Sequence, residues 1–198
     1  MADELLDVLD ADGRPLGFTK PRSAVHRNGD WHAAFHLWVA SPRGVLLQRR
    51  AQTKGSWPGR LDATAAGHLT AGEQVSDGLR EAEEELGVSF RFADLVPLGT
   101  YRVDDPRPDG GRNRELQHVF HVGDDRPLDQ WTKFDRAELD GLVLVPLDGF
   151  AALASGAGPV TAAFWNGKAV QTVEVAAGEL VPAPYLRELA ATLLAQHI

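Results

Sequence analysis

The stretch GHLTAGEQVSDGLREAEEELGV, Gly67 to Val88, joins a glycine-containing loop to a helix. Val75, Leu79, Ala82 and Leu86 recur at i, i+4, i+7 and i+11, so residues 75–86 are expected to form one amphipathic helix. Gly87 supplies its stop. Glu81, Glu84 and Glu85 then stand at i, i+3 and i+4 and project from one face. Asp77 extends the same ridge, and Glu83 points away. Three like charges this close repel one another unless a cation sits among them. Carboxylate oxygens are the ligands that hard Mg²⁺ or Mn²⁺ accept. Such a cation can bridge a diphosphate and lower the pKa of a bound water. Arg80 can hold one carboxylate by a bidentate hydrogen bond.

On the N-terminal side of this stretch, Leu5–Leu9 and Pro15–Thr19 flank D-A-D-G at 10–13, which reads as a β-hairpin within residues 1–20. Lys20–Asp30 reads as a polar connector. His32–Ala40 reads as a buried strand, V-L-L-Q-R-R at 45–50 as a second, and Leu61–Gly67 as a short third. On the C-terminal side, Leu95–Asp104 and Leu116–Val122 read as strands around the irregular D-D-P-R-P-D-G-G-R-N-R. Gly141–Pro146 reads as another strand. Pro182–Ile198 reads as a closing helix with Tyr185, Leu186, Leu189, Leu193 and Leu194 on one side. The sum is an α/β (α+β) fold with mixed strands and few helices. It forms one domain over 1–198, with residues 151–198 as a C-terminal extension ending in a helix.

Gly67-x5-Glu73-x6-Arg80-Glu81-Ala82-x-Glu84-Glu85-x-Gly87-Val88 resembles the Nudix box, which reads G-x5-E-x7-R-E-U-x-E-E-x-G-U with U aliphatic. One residue is missing between Glu73 and Arg80. Gly78, a poor helix former, lies in that shortened stretch, so the helix starts late or has a tighter entry loop. Val45–Arg50, Lys54, Trp57-Pro58-Gly59, Arg60-Leu61-Asp62 and Gly67-His68 are similar to the isopentenyl-diphosphate-isomerase-like branch, with Leu61 where that branch has Trp. The resemblance covers residues 4–150.

The resemblance implies a mixed β-sheet sandwiched between helices. It also implies a hydrolase, dependent on Mg²⁺ or Mn²⁺, that cleaves the diphosphate bond of a nucleoside or other organic diphosphate. The metal would be held by Glu81, Glu84, Glu85, the carbonyl of Gly67 and His68. Catalysis would fall to Glu81, Glu84, Glu115 and Arg80, with either Glu84 or Glu115 as general base. Arg50 and Lys54 would hold the diphosphate, with Arg49, Lys20 and Arg22 behind them. Alternation along a strand lets only one of Arg49 and Arg50 face the site. Glu73 is a further candidate, although it lies across the deletion.

True isomerases of the branch hold a metal with three His and two Glu. The positions that match are His26, His32, His68 and Glu115, with Asn113 in place of the other Glu. His36, His118 and His121 match nothing and read as structural. Isomerases also carry a Cys just before the Gly-His pair. Here that position is Ala66, and a methyl group cannot exchange a proton. An isomerase-like enzyme acting on prenyl diphosphates and a non-catalytic diphosphate-binding sensor therefore stand behind the hydrolase as alternatives. Trp57, Trp31 and Tyr101 are available to line the organic half of a ligand. The loop 104–114 reads either as a lid or specificity loop or as disorder.

Composition sets the outer bounds. The 198 residues contain no Cys, which excludes disulfides, thiolate metal sites and a Cys nucleophile. The net charge of −8 disfavours nucleic-acid polymers and anionic membranes as partners. A small-molecule diphosphate would need local Arg or Lys, or a divalent cation, to approach. No stretch nears the ~20 apolar residues of a membrane span. Met1–Asp10 lacks the basic start and apolar core of a signal peptide, so a cytoplasmic location is expected. The oligomeric state stays open.

Overall fold

Alternating apolar residues and closely spaced turns give most of this chain to strands, and a computed structural model describes it at residues 3–107 and 110–197. The hairpin of β1 (Leu5–Leu9) and β2 (Pro15–Pro21) leads into helix α1 (Arg22–Asn28). Long strand β3 (Trp31–Ser41) is followed by β4 (Gly44–Arg50) and by two short strands, β5 (Leu61–Asp62) and β6 (Ala65–His68). A 3₁₀ turn (Val75–Leu79) runs directly into helix α2 (Arg80–Leu86). Strands β7 (Val96–Pro106), β8 (Arg112–Gly123) and β9 (Leu139–Val145) come next, then α3 (Leu147–Ala154), β10 (Val160–Trp165), β11 (Val170–Val175) and α4 (Leu186–His197).

The strands form one sheet whose main path is β11-β10-β9-β4-β3-β1-β2. It is mixed: β3 and β8 run parallel from Trp31↔Arg114 to Ala40↔Gly123, while its other paired strands are antiparallel. Period-two alternation divides β3 between the two faces. Phe35, Leu37 and Val39 join Leu86 and Leu142 in the core under α2. Trp38 and Ala40 join Phe150, Leu189 and Leu193 in the core under α3 and α4. The expected α/β fold, a mixed sheet between helices, is the fold observed.

One feature of the sheet positions the site. β3 pairs with β4 only over Val39–Ser41 and Gly44–Leu46. From Leu37 back to Ala34 its neighbour is β6 instead. β4 parts from β3 there and takes up β5. The two halves of the sheet therefore separate beside β6, and α2 lies under the gap.

Helix α3 and strands β10 and β11 were not expected, and local structure differs from expectation in two further places. Residues 75–86 are a 3₁₀ turn followed by an α-helix, not one α-helix. The reason is close packing: Gly78 is buried, and a Cβ there would meet Phe35 Cβ at 2.5 Å and Phe35 Cγ at 2.7 Å. The tight turn and the missing side chain together let the segment rest on β3. Gly78→Ala is expected to destabilise the protein by about 1–3 kcal/mol through overpacking, read as a lower denaturation midpoint. An unchanged midpoint would disprove the close-packing account. Second, Arg22–Asn28 within the expected connector is a helix, because Pro21 stands at its N-cap position and Gly29 ends it in the left-handed conformation. Of the 104–114 loop, residues 108 and 109 lie outside the described residues. Asp104 and Asp105 continue β7, and Arg112–Arg114 begin β8. Among the described residues, no helix is long and apolar enough to cross a membrane.

Candidate functional site

Where the sheet parts, a cavity of about 680 Å³ opens, lined by β3, β4, β6, α2, the 54–58 loop and residues 181–183. Strand β6 forms its hinge. Gly67 backs onto α2 so closely that a Cβ there would overlap the Glu81 carboxylate. The backbone N–H of Ala66 donates to Glu85 Oε2 at 3.1 Å. The Arg80 guanidinium ties the helix to the preceding loop. It donates to Glu81, to Glu84 Oε2 at 3.3 Å, to the His68 carbonyl at 2.9 Å and to Glu73 Oε1 at 2.7 Å. Glu73 also accepts the Thr70 N–H at 2.7 Å. The shortened stretch therefore still delivers Glu73 to Arg80, outside the cavity and behind the carboxylates. Asp77 does not extend the acidic ridge. It turns back to accept the Gln74 N–H at 2.8 Å, because the 3₁₀ turn rotates it away.

Glu81, Glu84 and Glu85 all line the cavity. Burial, with the Glu84 charge added, pushes Glu81 up to about 7, against the pull of Arg80. Burial and the Glu81 charge push Glu85 up to about 8. Glu84 stays open to solvent, its side chain 60% exposed. A buried carboxylate and a half-buried one that resist ionisation, beside a third, accessible one, form a donor set that fits a hard divalent cation.

A second cluster adjoins the first through His68. His26, His32 and His68 offer ring nitrogens that lie within 4.8 Å of one another. His68 Nε2 is 3.3 Å from Glu115 Oε1. His32 Nε2 is 3.8 Å from the same oxygen, too long for a hydrogen bond. His32 Nδ1 lies 3.2 Å from the Asp30 carbonyl, which can only accept, so Nδ1 carries the proton. Its Nε2 is buried and has no hydrogen-bond partner among the described residues. Metal-ligating histidines are commonly fixed in this way. Burial lowers His26 to about 3, reinforced by His68 and His32, and burial also lowers His68. Burial would raise Glu115, but its contacts with His32 and His68 outweigh that and hold it well below the usual carboxylate range. The residues present therefore suit a cation that accepts neutral imidazole and carboxylate.

The expected diphosphate-binding residues separate. Arg50 and Lys54 line the cavity, and Arg49 does not. A bulge between Arg49 and Arg50 sets their directions. Arg49 lies over the Phe164 ring at 5.2 Å and reaches Glu179 at 3.6 Å. Arg50 is held by Asp62 at 3.1 Å, Lys54 by Glu138, and Arg22, also in the lining, by Glu4 at 3.6 Å. Lys20 pairs with Asp30 at 2.5 Å away from the cavity. Carboxylates outnumber Lys and Arg in the described lining by nine to four. A diphosphate entering this cavity meets a net negative wall.

Sequence reasoning missed several lining residues. His36, read as structural, stands on the cavity face of β3. Its signal was the two-residue alternation His32, Ala34, His36. Gln117 lies two residues beyond Glu115 on the same face of β8. Glu138 and residues 181–183 come from distant chain segments and left no local signal. Trp57 lines the cavity, but Trp31 and Tyr101 are not part of the wall.

A family model described as the NUDIX domain matches residues 30–164. An uncharacterized Nudix hydrolase of Clostridium acetobutylicum is 33% identical over 157 residues, covering 76% of this chain and 74% of that relative. An isopentenyl-diphosphate Δ-isomerase of Streptomyces avermitilis is 35% identical over 119 residues, covering 59% of each chain. A crystal structure of a Deinococcus radiodurans protein superposes with a TM-score of 0.64 at 19% identity, covering 96% of this chain and 99% of that one.

Proposed function

The chain belongs to the Nudix family of hydrolases, and on that premise we propose that it cleaves the diphosphate bond of a small organic diphosphate with a divalent cation on Glu81, Glu84 and Glu85. The carrying observation is the convergence of Glu81, Glu84 and Glu85 on one wall of an already acidic cavity. Because Arg50, Lys54 and Arg22 are each paired with a carboxylate, they offset little of a diphosphate's charge. A bound Mg²⁺ or Mn²⁺ supplies that neutralisation and lowers the pKa of water.

The chain's own residues divide the remaining work. Gly67 admits Glu81 against β6 and adds its carbonyl. Arg80, anchored on Glu73 and the His68 carbonyl, fixes the carboxylate geometry. Arg50 and Lys54 orient the diphosphate. Glu84 is the general base in this reading: Glu115 is already engaged by His68 and Gln117, whereas Glu84 is exposed and shares only Arg80. The His26–His32–His68–Glu115 cluster would hold a second cation, and its three imidazoles suit a borderline transition ion such as Zn²⁺ better than Mg²⁺. Residues 1–198 act as one Nudix-like unit, with the N-terminal hairpin and the 151–198 extension completing it.

The isomerase cluster and the similarity to named isomerases favour a second reading, in which a prenyl diphosphate is isomerised. Ala66 opposes it, since no thiol is available there. A panel of nucleotides, sugar nucleotides and prenyl diphosphates distinguishes the readings. Phosphate or phosphomonoester release that requires Mg²⁺ or Mn²⁺ and stops with chelator is expected. Deuterium uptake from D₂O into isopentenyl diphosphate would establish the isomerase instead. Tight diphosphate binding without turnover under any divalent ion would leave a sensor.

A further inference from the structure

The parting of the sheet puts one oxygen of Glu85 between two strands that do not pair with each other. On one side of the gap, β6 pairs with β3 through His36↔Ala66. On the other side, β4 pairs with β5 through Gln48↔Asp62 and with β9 through Gln48↔Leu142. Alternation along β4 gives Gln48 the face of Leu46, which belongs to the core under α2. Each strand turns one donor toward Glu85 on that helix.

The Ala66 N–H donates to Glu85 Oε2 at 3.1 Å, and Gln48 Nε2 donates to the same oxygen at 3.4 Å. A carboxylate can only accept, so this contact sets which end of the Gln48 amide faces Glu85. The backbone of Glu85 is tied as well, since its carbonyl accepts the Asp135 N–H at 2.8 Å. A flexible side chain is thereby anchored at its root and at one oxygen. Oε2 is committed to the two strands, and Oε1 is the oxygen left to face the cavity that Glu85 lines. Gln48 is 1% exposed and follows the apolar run Val45-Leu46-Leu47. Burying an amide there costs free energy unless it is hydrogen-bonded.

We propose that Gln48 is a positioning residue for the metal centre: its amide, together with the Ala66 N–H, holds Glu85 Oε2 so that Oε1 is presented to the divalent cation. Groups that hydrogen-bond a ligating side chain fix its orientation, and their loss lowers metal affinity roughly 10- to 100-fold. Without Gln48 the β6 N–H alone would hold the oxygen, and the carboxylate could swing about that single contact. This role rests on Glu85 being a metal ligand, as proposed above, and it concerns what aims the carboxylate.

Titration of the full chain with Mn²⁺ alone, followed by electron paramagnetic resonance, tests this role. Glu85→Gln sets the scale and is expected to weaken one Mn²⁺ site at least about tenfold. Gln48→Met keeps the volume, deletes the donor and is expected to weaken the same site about tenfold. Its denaturation midpoint in chelator should stay within about 5 °C of the unmodified protein. The double variant should bind no more weakly than Glu85→Gln alone, because both changes remove one interaction. In the unmodified protein, Mg²⁺ is expected to shift the NMR signals of the Gln48 side-chain amide together with that of the Ala66 N–H. Unchanged Mn²⁺ affinity in Gln48→Met, or a Gln48 amide that ignores Mg²⁺, overturns the role of Gln48 while Glu85 stands as a ligand. A double variant weakened by the full product of the single losses overturns it too. Mn²⁺ binding that survives Glu85→Gln unaltered sinks the role of Gln48 and the metal reading together.

Discussion

Glu81→Gln is expected to cut metal-dependent diphosphate cleavage by at least about 10²-fold, the loss typical of removing one preorganised charge-stabilising group. The same change is expected to make the metal-free protein more stable at pH 8. The sign follows from the proton balance. Glu81 and Glu85 titrate near 7 and 8 in the fold, above the 4.5 of an unperturbed glutamate. Between about pH 4.5 and 8 these two carboxyls therefore bind more protons in the folded chain than in the unfolded one. Their contribution to the stability of the metal-free fold falls as pH rises through that window, while the buried histidines, lowered by burial, act in the opposite direction below about 6.5. Glutamine removes one of those ionisations and one charge facing Glu85. The gain at pH 8 is on the order of 1–3 kcal/mol, and at pH 5 it shrinks to below about 1 kcal/mol because the folded carboxyl is already protonated. Loss of the Arg80 contact offsets part of it, although Arg80 keeps Glu73 and the His68 carbonyl. Mg²⁺ should in turn raise the denaturation midpoint of the unmodified protein more at pH 8 than at pH 6. Paired activity assays and thermal denaturation at two pH values check both halves. A variant that retains half its activity, or is destabilised equally at pH 5 and pH 8, contradicts the account.

Gly67→Ala is expected to produce nearly the same loss of cleavage from the opposite side of the contact. The added methyl would overlap the Glu81 carboxylate, which is the end of a flexible side chain and can move aside. The fold should therefore tolerate the change within about 1 kcal/mol, as volume changes next to a yielding neighbour do. The carboxylate would leave the geometry that Arg80 gives it, and metal affinity would fall with activity. Combining Gly67→Ala with Glu81→Gln should add little to either single loss, because both remove one interaction. Fully multiplicative losses in the double variant would show that Gly67 acts by another route.

What could be read in the sequence follows how local each signal is. The spacing of Glu81, Glu84 and Glu85 lies within one helical turn, and all three reach the cavity wall. The strands around it were equally legible, since Trp31–Ser41 and Gly44–Arg50 bury long apolar runs. Helix α1 was not, because only Val25 and His26 of its seven residues are buried and no stripe results. Strands β10 and β11 escaped for a related reason: β11 is exposed along most of its length. Asp77 went astray because helical spacing was extended into a segment that Gly78 winds more tightly. His36 was placed with the structural histidines because its defining partner, Tyr185, lies 149 residues away. Partners at that separation leave no trace in spacing or periodicity.

Tyr185 also belongs to the core between the sheet and α4, where it is 1% exposed beside Trp38, Leu189 and Leu193. The hydroxyl that bonds His36 on the cavity wall is thus carried by a residue that packing already fixes. Reshaping that part of the cavity would mean rebuilding part of the interior as well, because the same side chain serves both.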